Sequence, residues 1–276
     1  MSKYENVIVE IQGDVATVTL NRPEKKNCMS PALHAEMCIA LKEIEAAKVK
    51  VMVLTGAGNA FCGGMDLEKC FFDNWDEPDK FKEGVGHSFV WMKHLKDFPA
   101  VTVAKINGWC FGGGMEVVGL CDIAIAAEES TWGLSEVNFG IFPGGGTTWT
   151  VANNMAFRKQ ALYYSLTADT FDGKEAVDLG WASKSVPLAE LDTHTQKVVD
   201  GLAGKGRIVL EKTKEVYERI YDLNMDFADA VDYEIAKLFE LSRLTDDDWI
   251  RTALQSFKNR EFKPGLQDYK LTRDDI

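Results

Sequence analysis

Two glutamates and a run of three glycines are the residues of this sequence whose types and spacing best suggest chemistry. Gly112, Gly113 and Gly114 leave a short piece of backbone without side chains, and the apolar run 115–120 follows at once. Because that run favours a buried helix, the N–H groups at its start are free to hold a developing negative charge. Glu116 and Glu136 lie among apolar neighbours and are placed to move protons beside such a charge. The pattern predicts enolate chemistry with acid–base assistance.

Each of these residues also has a purely structural interpretation. The glycines would let a strand turn tightly into a helix, Glu116 would complement the helix dipole, and Glu136 would cap a nearby turn. A phosphate-binding turn is a further alternative, but neither Gly-x-x-x-x-Gly-Lys nor Gly-x-Gly-x-x-Gly occurs in this region. The combination of two carboxyl groups with bare backbone favours catalysis over the separate structural roles.

A second small-residue turn, residues 61–67, follows another apolar run. Its structural interpretation is a strand-to-helix connection. Because two N–H donors from different loops usually converge on one oxyanion, this turn is also a candidate for the second donor.

Composition and charge limit the classes of partner. The chain has 276 residues, 46% of them hydrophobic and 27% charged, and a net charge of −12, which argues against binding to nucleic acid or to an anionic membrane. The local cluster Arg22, Lys25 and Lys26 would still attract an anionic ligand. The six cysteines form no Cys-x-x-Cys pair and the four histidines no metal-binding spacing, so no metal site is expected. No signal-peptide pattern or long apolar run is present, which predicts a reduced, cytoplasmic protein.

The order of elements predicts an α/β layered core followed by helices. Strands are predicted at 7–11, 15–20, 51–54, 101–106, 121–127 and 183–186. Helices are predicted from Ser30 to about residue 48, around Phe89 to Leu95, at 115–120, from about Thr148, at 157–166 and from Gly173 to about 180. Residues 67–86 are predicted to form a loop with short helical pieces. From Leu188 onward the sequence is helical and amphipathic, with no strand signals.

These segments together resemble the crotonase (enoyl-CoA hydratase/isomerase) superfamily over essentially the whole chain. The segments that carry the resemblance are 20–27, 54–56, 61–67, 108–122 and 133–146. Within the superfamily the chain is most similar to the hydroxycinnamoyl-CoA (feruloyl-CoA) hydratase-lyases. That similarity is carried by 107–114, 134–138, 162–164, 242–244 and 263–266.

The resemblance implies a crotonase-like spiral of ββα units over residues 1–200. It implies a C-terminal helical trimerisation region over residues 201–276 and assembly as a homotrimer or homohexamer. It also implies no permanently bound cofactor, with coenzyme A present as part of the substrate.

The resemblance assigns roles to individual residues. The backbone N–H groups of Met65 and Gly113 correspond to the oxyanion-hole donors, and Glu136 corresponds to a catalytic glutamate. The positions that line the CoA and acyl groups fall on Lys25, Gly63, Leu67, Ser135 and Phe139.

The chain departs from the hydratase-lyases at two places. They carry serine at the position of Glu116, whereas ordinary enoyl-CoA hydratases carry glutamate there. They also hold the phenolic hydroxyl with tyrosines, at positions that correspond to Cys70 and Ile235. Tyr233 lies two residues from Ile235 and therefore on another face of a helix.

The sequence thus predicts hydration of a hydroxycinnamoyl-CoA, with Glu116 as the base and Glu136 as the proton donor to the α-carbon. Retro-aldol cleavage to an aromatic aldehyde and acetyl-CoA would follow. A plain enoyl-CoA hydratase that uses the same two glutamates is the first alternative. A catalytically inactive CoA-binding scaffold is the second.

Overall fold

The fold begins with the antiparallel hairpin that the sequence predicts, formed by β1 (Val7–Gln12) and β2 (Val15–Leu20). The structure is a computed structural model that describes residues 3–74, 77–244 and 248–261. The segment 263–266, which contributes to the resemblance, lies outside the described residues. Val18 and Leu20 are fully buried while their neighbours in β2 are only partly buried, so one face of this strand packs on the core.

Four further strands extend the hairpin into a six-stranded sheet of order β1-β2-β3-β5-β7-β10. They pair in parallel: β3 (Val51–Gly56), β5 (Val101–Ile106), β7 (Ile123–Ala127) and β10 (Lys184–Val186). Every residue of β3 is buried, as expected for a parallel strand that is covered on both faces. All the predicted strands are confirmed, and β3 extends beyond the predicted 51–54 to include Thr55 and Gly56.

A second sheet of four short strands was not predicted. Its order is β4 (Ala60–Cys62), β6 (Trp109–Phe111), β8 (Thr131–Gly133) and β9 (Thr170–Asp172). Strands of three residues are too short to show an alternating pattern, so the sequence indicated only turns there. Because β4 and β6 pair in parallel, the loops that follow them begin at the same edge of this sheet.

The two sheets and the helices alternate in repeated ββα units. A strand of the large sheet leads into a strand of the small sheet and then into a helix, first as β3, β4 and α2 (Leu67–Cys70). The next unit is β5, β6 and α4 (Gly113–Gly119), and in the third β7 and β8 lead into the 3₁₀ helix Glu136–Phe139. The predicted spiral of ββα units is therefore confirmed.

Helices α1 (Pro31–Ala46) and α3 (Pro78–Lys96) pack against each other. Ser30 caps α1 as predicted, because its side chain accepts a hydrogen bond from the backbone N–H of Leu33. The prediction of a loop up to residue 86 was wrong, since α3 already begins at Pro78. Charged residues and two glycines in its first turns obscure the helical spacing of apolar residues, which becomes clear only from Phe89.

After β10 the described residues form helices only. The helices between the glycine-rich turn 144–146 and β10 are α5 (Thr147–Asn154), α6 (Arg158–Thr167) and α7 (Gly173–Asp178). The helices after β10 are α8 (Leu188–Ala203), α9 (Arg207–Leu223), α10 (Phe227–Leu244) and α11 (Asp248–Lys258). The predicted boundary between residues 200 and 201 falls inside α8, which packs on β7, so the division into two regions stays a prediction.

Helices α9 to α11 leave many large apolar side chains exposed. Examples are Tyr217, Tyr221, Leu223, Phe227, Ile235, Leu238, Phe239, Leu244, Leu254 and Phe257. Among the described residues, no helix is both long and apolar enough to cross a membrane.

Candidate active site

A cavity of about 990 Å³ is lined by all nine residues for which the sequence predicts a catalytic or substrate-binding role. Its lining includes Lys25, Gly63, Met65, Leu67, Gly113, Glu116, Ser135, Glu136 and Phe139. Eight of these residues come from the three ββα units, and the second sheet explains their proximity because the loops after β4, β6 and β8 leave it side by side. Lys25 lies in the 3₁₀ helix Pro23–Lys25, which follows β2.

The backbone N–H of Met65 is directed by a single β-bridge to Met29. The Met29 N–H donates to Gly64 O at 2.8 Å, and the Asp66 N–H donates to Met29 O at 2.9 Å. In a parallel bridge of this kind Met65, the residue between Gly64 and Asp66, directs its N–H away from Met29. Within the described residues no backbone acceptor takes the Met65 N–H, which leaves it available to the cavity that Met65 lines.

The N–H of Gly113 lies beside it. Gly112 has φ of +49° and donates its own N–H to Gly133 O at 3.0 Å, after which the chain turns into α4. Gly113 is thus the first residue of the helix, where the N–H has no partner within the helix. A Cβ built on Gly113 would lie 3.7 Å from the Met65 nitrogen, and one built on Gly64 would lie 3.5 Å from the Gly113 nitrogen. The two loops therefore bring both donors to one place.

Glu116 occupies the first turn of α4 and is only 6% exposed. Its Oε2 accepts a hydrogen bond from Thr147 Oγ1 at 3.1 Å. Its Oε1 lies against Gly146, where a Cβ would overlap it and where φ is +121°. Burial raises the pKa of Glu116 to about 8; the Thr147 hydrogen bond opposes this rise and the nearby Glu136 charge adds to it.

Glu136 begins the 3₁₀ helix after β8 and faces the other glycine-rich turn. A Cβ on Gly112 would lie 2.8 Å from Glu136 Oε1, so glycine is required there for space as well as for its positive φ. Glu136 Oε2 is buried and has no hydrogen-bond partner among the described residues. Burial also raises the pKa of this carboxyl. A buried acceptor that faces a cavity and lacks a partner is typical of a functional group.

Arg22 does not contribute to an anion site in the way the sequence suggested. Its Nη2 lies 2.9 Å from Asp66 Oδ2, and both side chains are largely buried. Asp66 also accepts from the backbone N–H of Lys69 at 3.2 Å and so caps α2. Arg22 therefore fixes the residue next to Met65. Lys25 and Lys26 line the cavity, and they remain the candidates for contact with an anionic ligand.

The sequence missed two contributors to the site. The sequence predictions assign no role to the glycine-rich turn 144–146, although Gly144 and Gly145 line the cavity and Gly146 contacts Glu116. Thr147 was not singled out at all. The available signal was a second glycine run immediately before a predicted helix, the same pattern that identified Gly113.

One part of the cavity lining is aromatic and aliphatic. It contains Phe71, Phe89, Met92, Phe111, Ile141 and Phe142, together with the buried Ser88. The two positions that correspond to the phenol-binding tyrosines do not belong to this lining: Cys70 is buried and bonds to Met29 O, and Ile235 is half exposed on α10. Tyr233 donates to Glu215 at 3.3 Å. No tyrosine is found among the described residues that line the cavity.

The thiols and possible metal ligands form no further site. All six cysteines are free, with Cys62, Cys70 and Cys110 buried as small hydrophobic residues and the other three partly buried. In the part of the chain that the structure describes, no group of three or more histidine, cysteine, aspartate or glutamate side chains is arranged to hold a metal ion.

Comparison with known proteins gives a consistent result. The family model described as enoyl-CoA hydratase/isomerase matches residues 10–264. The chain is 40% identical over 280 residues to a hydroxycinnamoyl-CoA hydratase-lyase of Pseudomonas fluorescens, which covers 98% of this chain and 100% of that relative. It is 30% identical over 268 residues to the short-chain-enoyl-CoA hydratase of Clostridium acetobutylicum, with 94% and 100% covered.

Solved structures agree with these sequence matches. An enoyl-CoA hydratase subunit I from Geobacillus kaustophilus superposes with a TM-score of 0.84 at 26% identity, covering 97% of this chain and 100% of that chain. An enoyl-CoA hydratase from Bacillus anthracis superposes with a TM-score of 0.82 at 28% identity, covering 93% and 97%.

Proposed function

The chain belongs to the enoyl-CoA hydratase/isomerase family of enzymes, and from this we propose that it is a hydro-lyase acting on a hydroxycinnamoyl-CoA such as feruloyl-CoA or p-coumaroyl-CoA. It adds water across the Cα=Cβ bond of the thioester. Retro-aldol cleavage of the β-hydroxy product then gives an aromatic aldehyde and acetyl-CoA.

The convergence of the Met65 and Gly113 N–H groups in a cavity that also holds both buried glutamates is the observation that supports this proposal. The thioester carbonyl oxygen accepts both N–H groups and gains negative charge when the enolate forms. Each donor of this kind typically contributes ~3 kcal/mol to the transition state. Two N–H groups that converge on one point match the single oxygen of a carbonyl.

The two glutamates supply the proton transfers. Because the Glu136 charge helps to raise the pKa of Glu116, we propose that the pair holds one proton at neutral pH, mainly on Glu116. Glu136 then accepts a proton from the attacking water as its oxygen bonds to the β-carbon. Glu116 gives its proton to the α-carbon, and the next cycle begins once a proton passes from Glu136 back to Glu116. This order reverses the roles that the sequence suggested, and the reason is that Glu116 is the more deeply buried of the two residues.

The cleavage step uses the same groups. Removal of the β-hydroxyl proton lets the Cα–Cβ bond break, which releases the aldehyde and leaves the enolate of acetyl-CoA on the two N–H donors. Protonation of that enolate at its α-carbon completes acetyl-CoA. No oxidant, reductant or permanent cofactor is needed, and coenzyme A enters only as part of the substrate.

The aromatic part of the lining supports an aromatic acyl group, and 40% identity to a hydroxycinnamoyl-CoA hydratase-lyase supports the same class. The presence of Glu116, together with the absence of tyrosine from the lining as far as the structure describes it, favours the second candidate, a plain enoyl-CoA hydratase that stops at a 3-hydroxyacyl-CoA.

Incubation with feruloyl-CoA and, separately, with crotonyl-CoA distinguishes the two candidates. Release of vanillin and acetyl-CoA from feruloyl-CoA supports the hydratase-lyase. Accumulation of a 3-hydroxyacyl-CoA without aldehyde supports the plain hydratase. No turnover across a panel of thioesters, with CoA still bound, would instead indicate an inactive CoA-binding scaffold.

We further propose that the protein assembles as a homotrimer or homohexamer through its C-terminal helices, which expose the large apolar side chains described above. Sedimentation-equilibrium measurements of mass test this. A monomer at micromolar concentration would contradict it. A cytoplasmic location stays a prediction from the sequence.

A further inference from the structure

Thr147 contacts Glu116 from a different element. Its Oγ1 donates to Glu116 Oε2 at 3.1 Å, and the two residues are only 2% and 6% exposed. Thr147 is the first residue of α5, whereas Glu116 lies in α4. The contact therefore depends on how these two helices pack.

Contacts between α4 and the far half of α5 fix this packing, and a local hydrogen bond orders the turn before α5. At the far end of α5, Asn154 Nδ2 donates to Gly119 O at the end of α4 at 3.2 Å. At the near end, the Thr147 N–H donates to Gly144 O at 3.1 Å, which anchors the glycine-rich turn. Gly119 is closely packed as well, since a Cβ there would lie 3.1 Å from Thr150 Cβ. The Thr147 hydroxyl is thus held rigidly relative to the Glu116 backbone.

Few other groups can influence the Glu116 carboxyl. Glu136 faces it from the 3₁₀ helix and carries charge of the same sign. The thiols of Cys62 and Cys110 belong to β4 and β6, two strands that contact α4, and burial raises the pKa of both, so they stay neutral. Helix α5 contains no ionisable side chain. Among the described residues, Thr147 is the side chain that donates a hydrogen bond to Glu116.

We propose that Thr147 is a positioning residue for the acid–base step: its hydroxyl holds the Glu116 carboxyl against the turn 144–146 and stabilises its ionised form. This inference rests on the proposed function, in which Glu116 delivers a proton and must be reprotonated in each cycle. Loss of the hydroxyl would let the carboxyl rotate and would disfavour its ionisation. Thr147 itself bonds to no reacting atom in this proposal.

Thr147→Val removes the hydroxyl and keeps the shape, and Thr147→Ser keeps the hydroxyl. Thr150→Val is the matched control, because Thr150 lies one turn later in α5, is 1% exposed and bonds through Oγ1 to Thr147 O at 2.9 Å without touching Glu116. Each variant is assayed over pH 5–10 with the better of feruloyl-CoA and crotonyl-CoA, and kcat and KM are determined separately.

We expect the alkaline limb of the kcat profile of Thr147→Val to move upward by about 0.5 to 1 pH unit, as loss of one hydrogen bond to an ionised group predicts. We expect kcat at pH 7 to fall about fivefold with little change in KM. Thr147→Ser should restore the wild-type profile. Thr150→Val should keep the wild-type profile even if its Tm falls as much as that of Thr147→Val.

Difference infrared spectroscopy supplies a readout that does not need turnover. The carbonyl stretch of protonated Glu116, identified by its loss in Glu116→Gln, should titrate at higher pH in Thr147→Val than in the wild type. A shifted band with no turnover of any thioester would overturn the proposed function and leave this inference standing. The inference itself would be overturned if Thr147→Val turned over substrate with the same alkaline limb of its kcat profile and the same titration of the Glu116 band as the wild type. A Thr147→Ser variant as impaired as Thr147→Val would also overturn it.

Discussion

The carboxyl groups of Glu116 and Glu136 share one buried cavity, and the charge of Glu136 adds to burial in raising the pKa of Glu116 to about 8. Two like charges in such a site do not ionise together easily, so the pair retains a proton at neutral pH. Each carboxyl rests against a glycine in a different turn, Glu116 on Gly146 and Glu136 on Gly112. The glycine runs therefore have two roles, because they expose backbone N–H groups and also make room for the acids.

We predict that Gly112→Ala will abolish activity, and that the loss of turnover will be larger than the loss of folding stability accounts for. A methyl group there would approach Glu136 Oε1 to 2.8 Å, and φ of +49° is unfavourable for alanine. Both effects displace Glu136 and the adjacent Gly113 N–H. Steady-state kinetics and thermal unfolding measure the two consequences separately.

Gly201→Ala in α8 is the matched control for this substitution. Nothing lies within 4 Å of its Cβ position, so we expect unchanged activity and equal or greater stability. Wild-type turnover in Gly112→Ala would contradict the placement of Glu136 against this turn.

The sequence predicted most of the large sheet and the start of α1, because long apolar runs and a Ser-Pro pair are local signals. The nine proposed site residues line one cavity, and their roles stay predictions. The sequence missed the small sheet, whose strands such as β4 and β6 have three residues each and depend on pairing between distant segments. It also missed Thr147, since a threonine becomes informative only when packing of α5 on α4 brings it to Glu116. The sequence groups Arg22 with Lys25 and Lys26 as a cluster that attracts anions, because the ion-pair partner of Arg22, Asp66, is distant in sequence.

Replacement of either glutamate by glutamine is expected to reduce kcat by about a hundredfold to ten-thousandfold, the usual range for loss of a general acid or base. Glutamine retains the shape of the side chain but neither accepts nor donates the proton. Binding of CoA, measured by calorimetry, should stay near that of the wild type because the cavity keeps its form. Near-normal turnover in Glu136→Gln would disprove the assignment of Glu136 as the base.

Arg22→Met is expected to lower kcat through the backbone of Met65 rather than through substrate contact. Without the guanidinium, the largely buried Asp66 carboxylate has lost its ion-pair partner. We expect Asp66 to shift and to displace the N–H of the adjacent Met65. We expect a loss of roughly 2 kcal/mol in unfolding free energy, below the range for fully buried pairs. Urea unfolding and steady-state kinetics measure the two effects.

Lys93→Met is the control for Arg22→Met, since Lys93 and Asp97 form an ion pair at 2.5 Å that is largely exposed. We expect its unfolding free energy and its kcat to stay close to those of the wild type, because an exposed ion pair contributes little to stability. Equal effects of both substitutions would show that Arg22 acts only as a surface charge.

The raised pKa of Glu116 also predicts how stability depends on pH. The unfolded chain ionises this carboxyl near about pH 4.3, whereas the folded protein keeps its proton up to a pKa of about 8. Between these values the unfolded state binds fewer protons, so the contribution of Glu116 to stability is complete below the lower value and is lost as the pH rises.

Glu116→Gln removes this dependence, and we expect the variant to gain stability relative to the wild type at pH 8 but not at pH 4. Urea unfolding at both pH values measures the difference, with the exposed Glu10→Gln as the control. A constant difference between Glu116→Gln and the wild type across this range would mean that the Glu116 carboxyl is not protonated in the folded protein at neutral pH.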